Sequence, residues 1–541
     1  MSDSDQTFDQ RMNRFLSEMQ ERAFNRRRFI GMAAGSAAAA MAAPMLFPGV
    51  SVLAQDATTV TFGLESDIRG VEPALSYDFT ANPVVCNITE GLMMIDAKGA
   101  VQPLLAEKYD HPDALTYIYT LRTDVKFHDG TPITVDDVLA SIARVQSKSI
   151  ASPMGWMYEP TASITKTADN QITIKLKTAS GTFQYVVATT AGHVMPKKLI
   201  DSSPDQPIVE PIGTGPYKFV KWDAGSEITL VKNTTYWQPG KPFFENAVFK
   251  IVPDATARVT GLKTGELTAF REVPPDQLAT VTALPGVTVQ NVIGYTIDMI
   301  AFVNDKAPFN DPKIREAVSK AIDYGTIMTN LVQATGVQAK SSTVPSTMPH
   351  SAEDTLTAVV YDVAGAKAAM AASTQPTGFK TTLTVDSESS LRVAEAQAIQ
   401  QMLAVIGVDA QINKIPQADR ITLLQSGNYE GMIFHEWGAD FPDANAMLLP
   451  LFSTRNFPPQ NNQSKYSNPA VDKLLDAADA EPDDAKRGQM LVDAQKLIAA
   501  DMPIIWLDHP KWFLAMKSNL TGLTINPLFY WDCWLRNLKP V

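Results

Sequence analysis

The residues best placed to do chemistry stand together at His435-Glu436-Trp437-Gly438-Ala439-Asp440-Phe441-Pro442-Asp443, directly behind the apolar run Met432-Ile433-Phe434. An apolar run that stops at Gly-Ala-Asp reads as a strand delivering side chains to the crevice beyond its carboxyl end, where open α/β sheets bind ligands. A carboxylate in that position suits a cationic nitrogen, with which it forms a charge-assisted hydrogen bond. A second use competes: Asp440 or Asp443 can cap the helix that begins near Pro442, and for Asp443 the cap is the preferred reading. Trp437 is amphipathic enough either to lay its ring on a ligand or to fill an interface.

Nothing else in the chain assembles a reaction centre. There is no G-x-S-x-G elbow, no H-E-x-x-H helix and no phosphate-cradling glycine loop, so neither the usual hydrolases nor nucleotide enzymes are expected. The six histidines, at 111, 128, 193, 350, 435 and 509, are scattered without metal-ligand spacing. His435 and Glu436 are adjacent, and adjacent strand residues point to opposite faces. The chain is therefore read as binding rather than catalysing, with no metal site and no cofactor.

Two textures of sequence must hold the candidate segment in place. Up to about residue 295, alternating runs such as Thr58–Leu64, Leu115–Arg122 and Gln171–Lys177 predict strands, and Tyr217–Lys221 with Glu227–Val231 predicts a hairpin across Asp223-Ala224-Gly225-Ser226. Thr134-Val135-Asp136-Asp137 opens a helix towards Val145, since Thr134 accepts from first-turn amides and the aspartates favour the positive end of the dipole. Beyond residue 300, helices predicted at 311–321, 392–406, 470–480 and 485–500 alternate with strands at 379–385 and 408–415. That order implies a second α/β lobe with a parallel sheet.

The N-terminus carries Arg26-Arg27-Arg28-Phe29-Ile30 and then an uncharged run to Ala54. It reads as a cleavable signal of the twin-arginine type, with small residues at Val52-Leu53-Ala54 for cleavage before Gln55. The run is also long enough to span a bilayer, but its glycines and prolines argue against a continuous helix. The whole chain has net charge −12. Residues 1–54 hold six arginines and five acidic residues, so 40 basic and 53 acidic side chains follow them. That acidity disfavours nucleic acid and anionic lipid as partners. Cys86 and Cys533 are too few for a disulfide framework; one long-range bridge and two buried thiols both remain open. The 487 residues after the signal call for two or three domains.

Several ordered motifs resemble one family. Asn87-Ile88-Thr89-Glu90-Gly91-Leu92 precedes Pro103-Leu104-Leu105-Ala106-Glu107, and Leu121-Arg122 leads through Val125-Lys126-Phe127-His128-Asp129-Gly130-Thr131-Pro132 to Asp136-Asp137-Val138. Ile212–Tyr217, Gly261–Leu267, Phe309–Pro312, Arg315–Ala317, Ala321–Asp323 and Trp437–Asp443 continue the series. The set is similar to the family 5 solute-binding proteins of oligopeptide, dipeptide, nickel and opine importers.

The resemblance implies a type II periplasmic binding protein fold, α/β, with a ligand cleft between two hinged lobes. Lobe one would span 55–295 with an extra subdomain at about 91–210 and a returning segment 506–541; lobe two would span 296–505. It implies a periplasmic monomer that passes a peptide or other amine-bearing solute to an ABC permease, after export by the twin-arginine machinery. Nickel chelates, haem and sugars are alternative solutes, and a chaperone-like presenting role is a further alternative. Asp440 matches the aspartate that pairs with a peptide's α-ammonium in relatives. Trp437, Asp443, Asp67, Arg69 and Tyr295 are further ligand candidates by position, Arg69 as a cation for a ligand carboxylate. Dipeptide binders carry a carboxylate-holding arginine where this chain has Ser387-Glu388-Ser389-Ser390, with Arg392 one turn late. That departure argues against a free dipeptide and leaves longer peptides, opines or another amine-bearing solute open.

Overall fold

The computed structural model describes residues 58–78, 80–528 and 535–541. The signal segment and Cys533 lie outside these residues. Cys86 is buried.

The sequence-based elements form where their chemistry directs. Thr59–Leu64 is a strand whose neighbours are both parallel, Asn246–Ile251 and Ala269–Arg271. Thr61 is buried as well as Val60, Phe62 and Leu64, so the alternation expected of a half-exposed strand gives way to cover on both faces. Val135–Val145 is a helix with a full capping box between Thr134 and Asp137. Ala255–Thr264 ends at Gly265, which takes φ 87°, a left-handed conformation that glycine adopts without strain. The hairpin Tyr217–Asp223 with Glu227–Lys232 forms as predicted. The long helix expected from Arg392 starts two residues earlier, because Ser389 accepts from the Arg392 amide and becomes its cap.

Most strands belong to one 12-stranded sheet. Val408–Ile415, Phe379–Asp386 and Met432–Gly438 lie side by side in parallel at one end, followed by antiparallel Thr296–Phe302. Ile504–Lys517 is the 14-residue strand that joins this end to the other. Its first part pairs with Thr296–Phe302 through Ile504, Ile505, Trp506 and Asp508. From Lys511 to Lys517 it pairs instead with Val287–Ile293. Those two partners are consecutive in sequence and are separated by Gly294-Tyr295, so the chain passes twice between the halves of the sheet at one place.

A separate antiparallel sheet of four strands, within residues 106–176, packs with the helix Val135–Val145. Its Tyr117 and Tyr119 share an apolar core with Tyr295, Phe441 and Trp506. In the strand Met432–Gly438, Met432, Ile433 and Phe434 are all buried, each contributing roughly 1.5–3 kcal/mol over exposure. A register slip of one residue would exchange the faces of this strand, so its apolar start holds Glu436, Trp437 and the residues after them in position.

Candidate functional site

The strand Met432–Gly438 brings the candidate segment to the carboxyl edge of the sheet. Gly438 is its last paired residue, opposite Thr296, and the Ala439 amide donates to the Tyr295 carbonyl at 2.9 Å. Asp440 is thus the first side chain to leave the sheet. The next helix is Asn445–Phe452, with Ala444 at its N-cap, so Asp440 caps no helix.

The Tyr77 hydroxyl donates to Asp440 Oδ1, a contact between residues 363 positions apart in sequence. No other hydrogen bond to this carboxylate is found among the described residues. Burial raises its pKa to about 6, against the lowering effect of Tyr77. A half-buried carboxylate with one neutral partner retains acceptor capacity for a cation.

The surroundings of Asp440 close on it from the first half of the chain. Phe441 stacks on Tyr185 with ring centres 5.7 Å apart. The Gly181 amide donates to the Asp479 carbonyl at 3.1 Å, and a Cβ at Gly181 would lie 2.4 Å from Arg487 Cδ. Asp443 is fully buried and ion-paired to Arg487 at 2.6 Å, with His350 Nδ1 at 3.5 Å. Its other oxygen accepts from the Asn445 amide at 2.8 Å, but the N-cap of the helix Asn445–Phe452 is Ala444 and no side chain caps it, so Asp443 is held by its ion pair and does not take the cap position expected for it.

The remaining candidates spread out. Trp437 is half-buried and its indole donates to the Ala446 carbonyl at 3.0 Å. Tyr295 is buried, donates to the Thr347 carbonyl at 3.1 Å and has its phenol pushed up to about 12 by burial. Asp67 is occupied by the protein: it accepts from the Trp222 indole at 2.9 Å and from the Gly225 amide at 2.6 Å. Arg69 is exposed. Asp440, Trp437, Asp443 and Tyr295 therefore share one neighbourhood, whereas Asp67 holds a turn of the hairpin Tyr217–Asp223 with Glu227–Lys232.

His435 and Glu436 face opposite ways. His435 meets Gln463 at 3.1 Å, and burial lowers its pKa to about 4. Glu436 lies on the other face with Arg420 at 2.8 Å and Arg392 at 2.9 Å. Arg392 also pairs with Asp298 at 2.8 Å and Asp386 at 3.2 Å.

Sequence reasoning missed Tyr77 and this ionic cluster. Asp298 and Asp508 did leave a signal: each is a lone carboxylate inside an apolar strand, Thr296–Phe302 and Ile504–Lys517. Tyr77 left none. Among the described residues, no group of three or more His, Cys, Asp or Glu is arranged to hold a metal, and no helix is long and apolar enough to cross a membrane.

The chain as a whole is similar to several known proteins. The glutathione-binding protein GsiB of Escherichia coli is 27% identical over 477 residues, 87% of this chain and 93% of that protein. The ABC transporter-associated periplasmic binding protein DppA of Helicobacter pylori, solved with the peptide STSA, superposes with a TM-score of 0.74 at 25% identity, covering 89% of this chain and 98% of that one. AgaA of A. tumefaciens R10, solved with agropinic acid, has a TM-score of 0.74 at 25% identity, covering 89% of this chain and 99% of that one. The fold is the two-lobe, type II periplasmic binding protein fold. Residues 100–459 match the family model for bacterial extracellular solute-binding proteins, family 5, and to that family this chain belongs.

Proposed function

We propose that this protein is the solute-capturing subunit of an ABC importer for a peptide or peptide-like solute that bears an amine. The observation carrying this reading is Asp440: a half-buried carboxylate at the carboxyl edge of the sheet, whose one hydrogen bond among the described residues comes from Tyr77. A relative named for glutathione and neighbours solved with the peptide STSA and with agropinic acid support a peptide-like solute.

In this reading residues 55–295 and 506–541 form lobe one and residues 296–505 form lobe two. Gly294-Tyr295 and the middle of the strand Ile504–Lys517 are the natural hinge, since closure needs only a few residues to absorb the change. A solute held by the closed native state stabilises it by mass action, by about 2.7 kcal/mol at a hundredfold excess over Kd. A thermal-shift screen of short peptides, glutathione, opines and sugars should therefore give a clear rise in melting temperature with at least one amine-bearing solute. A response to sugars alone would refute the peptide reading.

Delivery is proposed to run through the twin-arginine route to the periplasm. Arg26 and Arg27 support it, because the receptor reads a guanidinium pair that lysine does not reproduce. Changing both to Lys should leave precursor in the cytoplasm. Undiminished periplasmic yield from that double variant would show another export route.

A further inference from the structure

Two glycines let the first half of the chain approach the segment behind Asp440. Gly99, buried in the turn between Met93–Ile95 and Val101–Pro103, takes φ 82°, and a Cβ there would lie 2.8 Å from Pro442 Cβ. Asp96 fixes that turn by accepting from the Lys98 and Ala100 amides at 2.8 and 3.0 Å. At Gly181 a Cβ would overlap Arg487 Cδ and Nε and come within 3.1 Å of the Glu481 carbonyl oxygen. Tyr185, four residues on, adds its stack on Phe441, the two rings inclined by 17°.

The strap that carries Gly181 is tied on one side and seated on the other. The Ser180 carbonyl accepts from the Tyr117 hydroxyl at 3.0 Å, which joins the strap to the four-stranded sheet. The Gly181 amide donates to the Asp479 carbonyl, one of the last four of the helix Pro469–Ala480, which a helix leaves without partners of its own.

Arg487 is not free to step aside for a side chain. It is buried near the start of the helix Asp484–Asp501, its guanidinium paired with Asp443 at 2.6 Å and Asp484 at 2.9 Å. Asn445 links the same pieces, its amide donating to Asp443 and its side chain to Asp479 Oδ1 at 3.1 Å. Asp443 lies three residues after Asp440. The seat of the strap and the segment that presents Asp440 are thus braced together.

We propose that Gly181 and Arg487 form a clasp that holds the two lobes closed over Asp440, and that both are positioning residues for solute capture. The inference rests on the two-lobe reading with Asp440 as the ammonium anchor, and it gives the extra subdomain at about 91–210 a part in capture through its strap. Where only the closed form holds solute, apparent affinity is reduced by the fraction closed. A side chain at Gly181 excludes the docked strap yet leaves Arg487 its two carboxylates, so it should open the lobes without unfolding either.

The test is small-angle X-ray scattering with native mass spectrometry on the protein purified from the periplasm, for wild type, Gly181→Val and Gly70→Ala. Gly70 is the control because a Cβ there meets nothing within 4 Å. Wild type and Gly70→Ala should be as compact as this structure, whereas Gly181→Val should have a larger radius of gyration and retain about tenfold less solute, as a closed form made tenfold rarer requires. Melting temperature reports folding, and Gly181→Ala, which adds only the Cβ, repeats the test if the valine variant does not fold. A folded Gly181 variant as compact as wild type would overturn the clasp, as would a wild type more extended than this structure. A larger radius with undiminished solute would overturn the part of the strap in capture. Asp440→Asn leaves the clasp residues intact, so solute retained by that variant would overturn the ammonium anchor and leave the clasp standing.

Discussion

Asp440→Asn should weaken binding of an amine-bearing solute by about 2 to 5 kcal/mol, the cost of removing one partner of a desolvated charge pair. Asparagine preserves the shape and one acceptor oxygen, so the loss reports charge. The carboxyl is raised to about 6 from its ordinary 3.8 chiefly by burial, so it is ionised above pH 6 and neutral below. Affinity for a cation should then fall as pH drops through about 6, by up to about tenfold per unit, and Asp440→Asn should abolish that slope.

The sign for the unliganded fold is opposite. A carboxyl whose pKa is raised by folding favours the native state at low pH, and that contribution is lost as pH rises from 3.8 towards about 6. Unliganded Asp440→Asn should accordingly be no less stable than the wild type at neutral pH. Tyr77→Phe removes the one hydrogen bond that lowers this pKa, so the midpoint of the affinity profile should move to higher pH.

The largest effect on stability is expected at Glu72→Gln. Glu72 is 1% exposed and pairs with Arg144, itself buried, through Nε and Nη2 on one edge of the guanidinium, the Nη2 contact at 3.0 Å. It also accepts from the Ile208 amide at 2.7 Å. Arg144 donates in addition to the carbonyls of Ser203 and Gln206, both at 2.7 Å. The pair ties the segment after the first strand to the helix Val135–Val145 and to the loop at 203–208. Breaking it from one side leaves a buried guanidinium without its counter-charge, at about 3 to 5 kcal/mol. A denaturant midpoint should show the loss directly. The exposed pair Lys197–Asp201 is the control, because removing it should change stability by less than about 1 kcal/mol. Equal effects from the two would mean that burial does not set the strength of these ion pairs.

Local chemistry made much of the fold legible. Thr134 and Asp137 announce a helix start because a capping box is complete within four residues. Ser226 and its neighbours announce a hairpin for the same reason of short range. The order of strands at 379–386 and 408–415 around one helix was enough for a parallel pair. What stayed hidden depends on distant sequence. That Thr61 is buried follows from parallel strands at 246–251 and 269–271, which no pattern within Thr59–Leu64 encodes.

The site divides in the same way. The place of Asp440 was legible because an apolar strand stops just before it, whereas Asp443, expected as a cap, is instead paired with Arg487 from 44 residues further on, and Ala444 takes the cap position. Asp67 attracted notice through its place after the first strand, yet Trp222 and Gly225 hold its oxygens. Tyr77 reaches Asp440 across 363 residues of chain, and the ionic cluster draws on strands and helices from Asp298 to Asp508. Only folding brings those groups together.

Native mass spectrometry of the protein purified from the periplasm, without added ligand, tests the central claim most directly. One co-purifying solute per chain is expected, with at least one basic nitrogen, and it should be absent from Asp440→Asn prepared in the same way. A solute lacking any basic nitrogen, or equal retention of the amine-bearing solute by Asp440→Asn, would contradict the account.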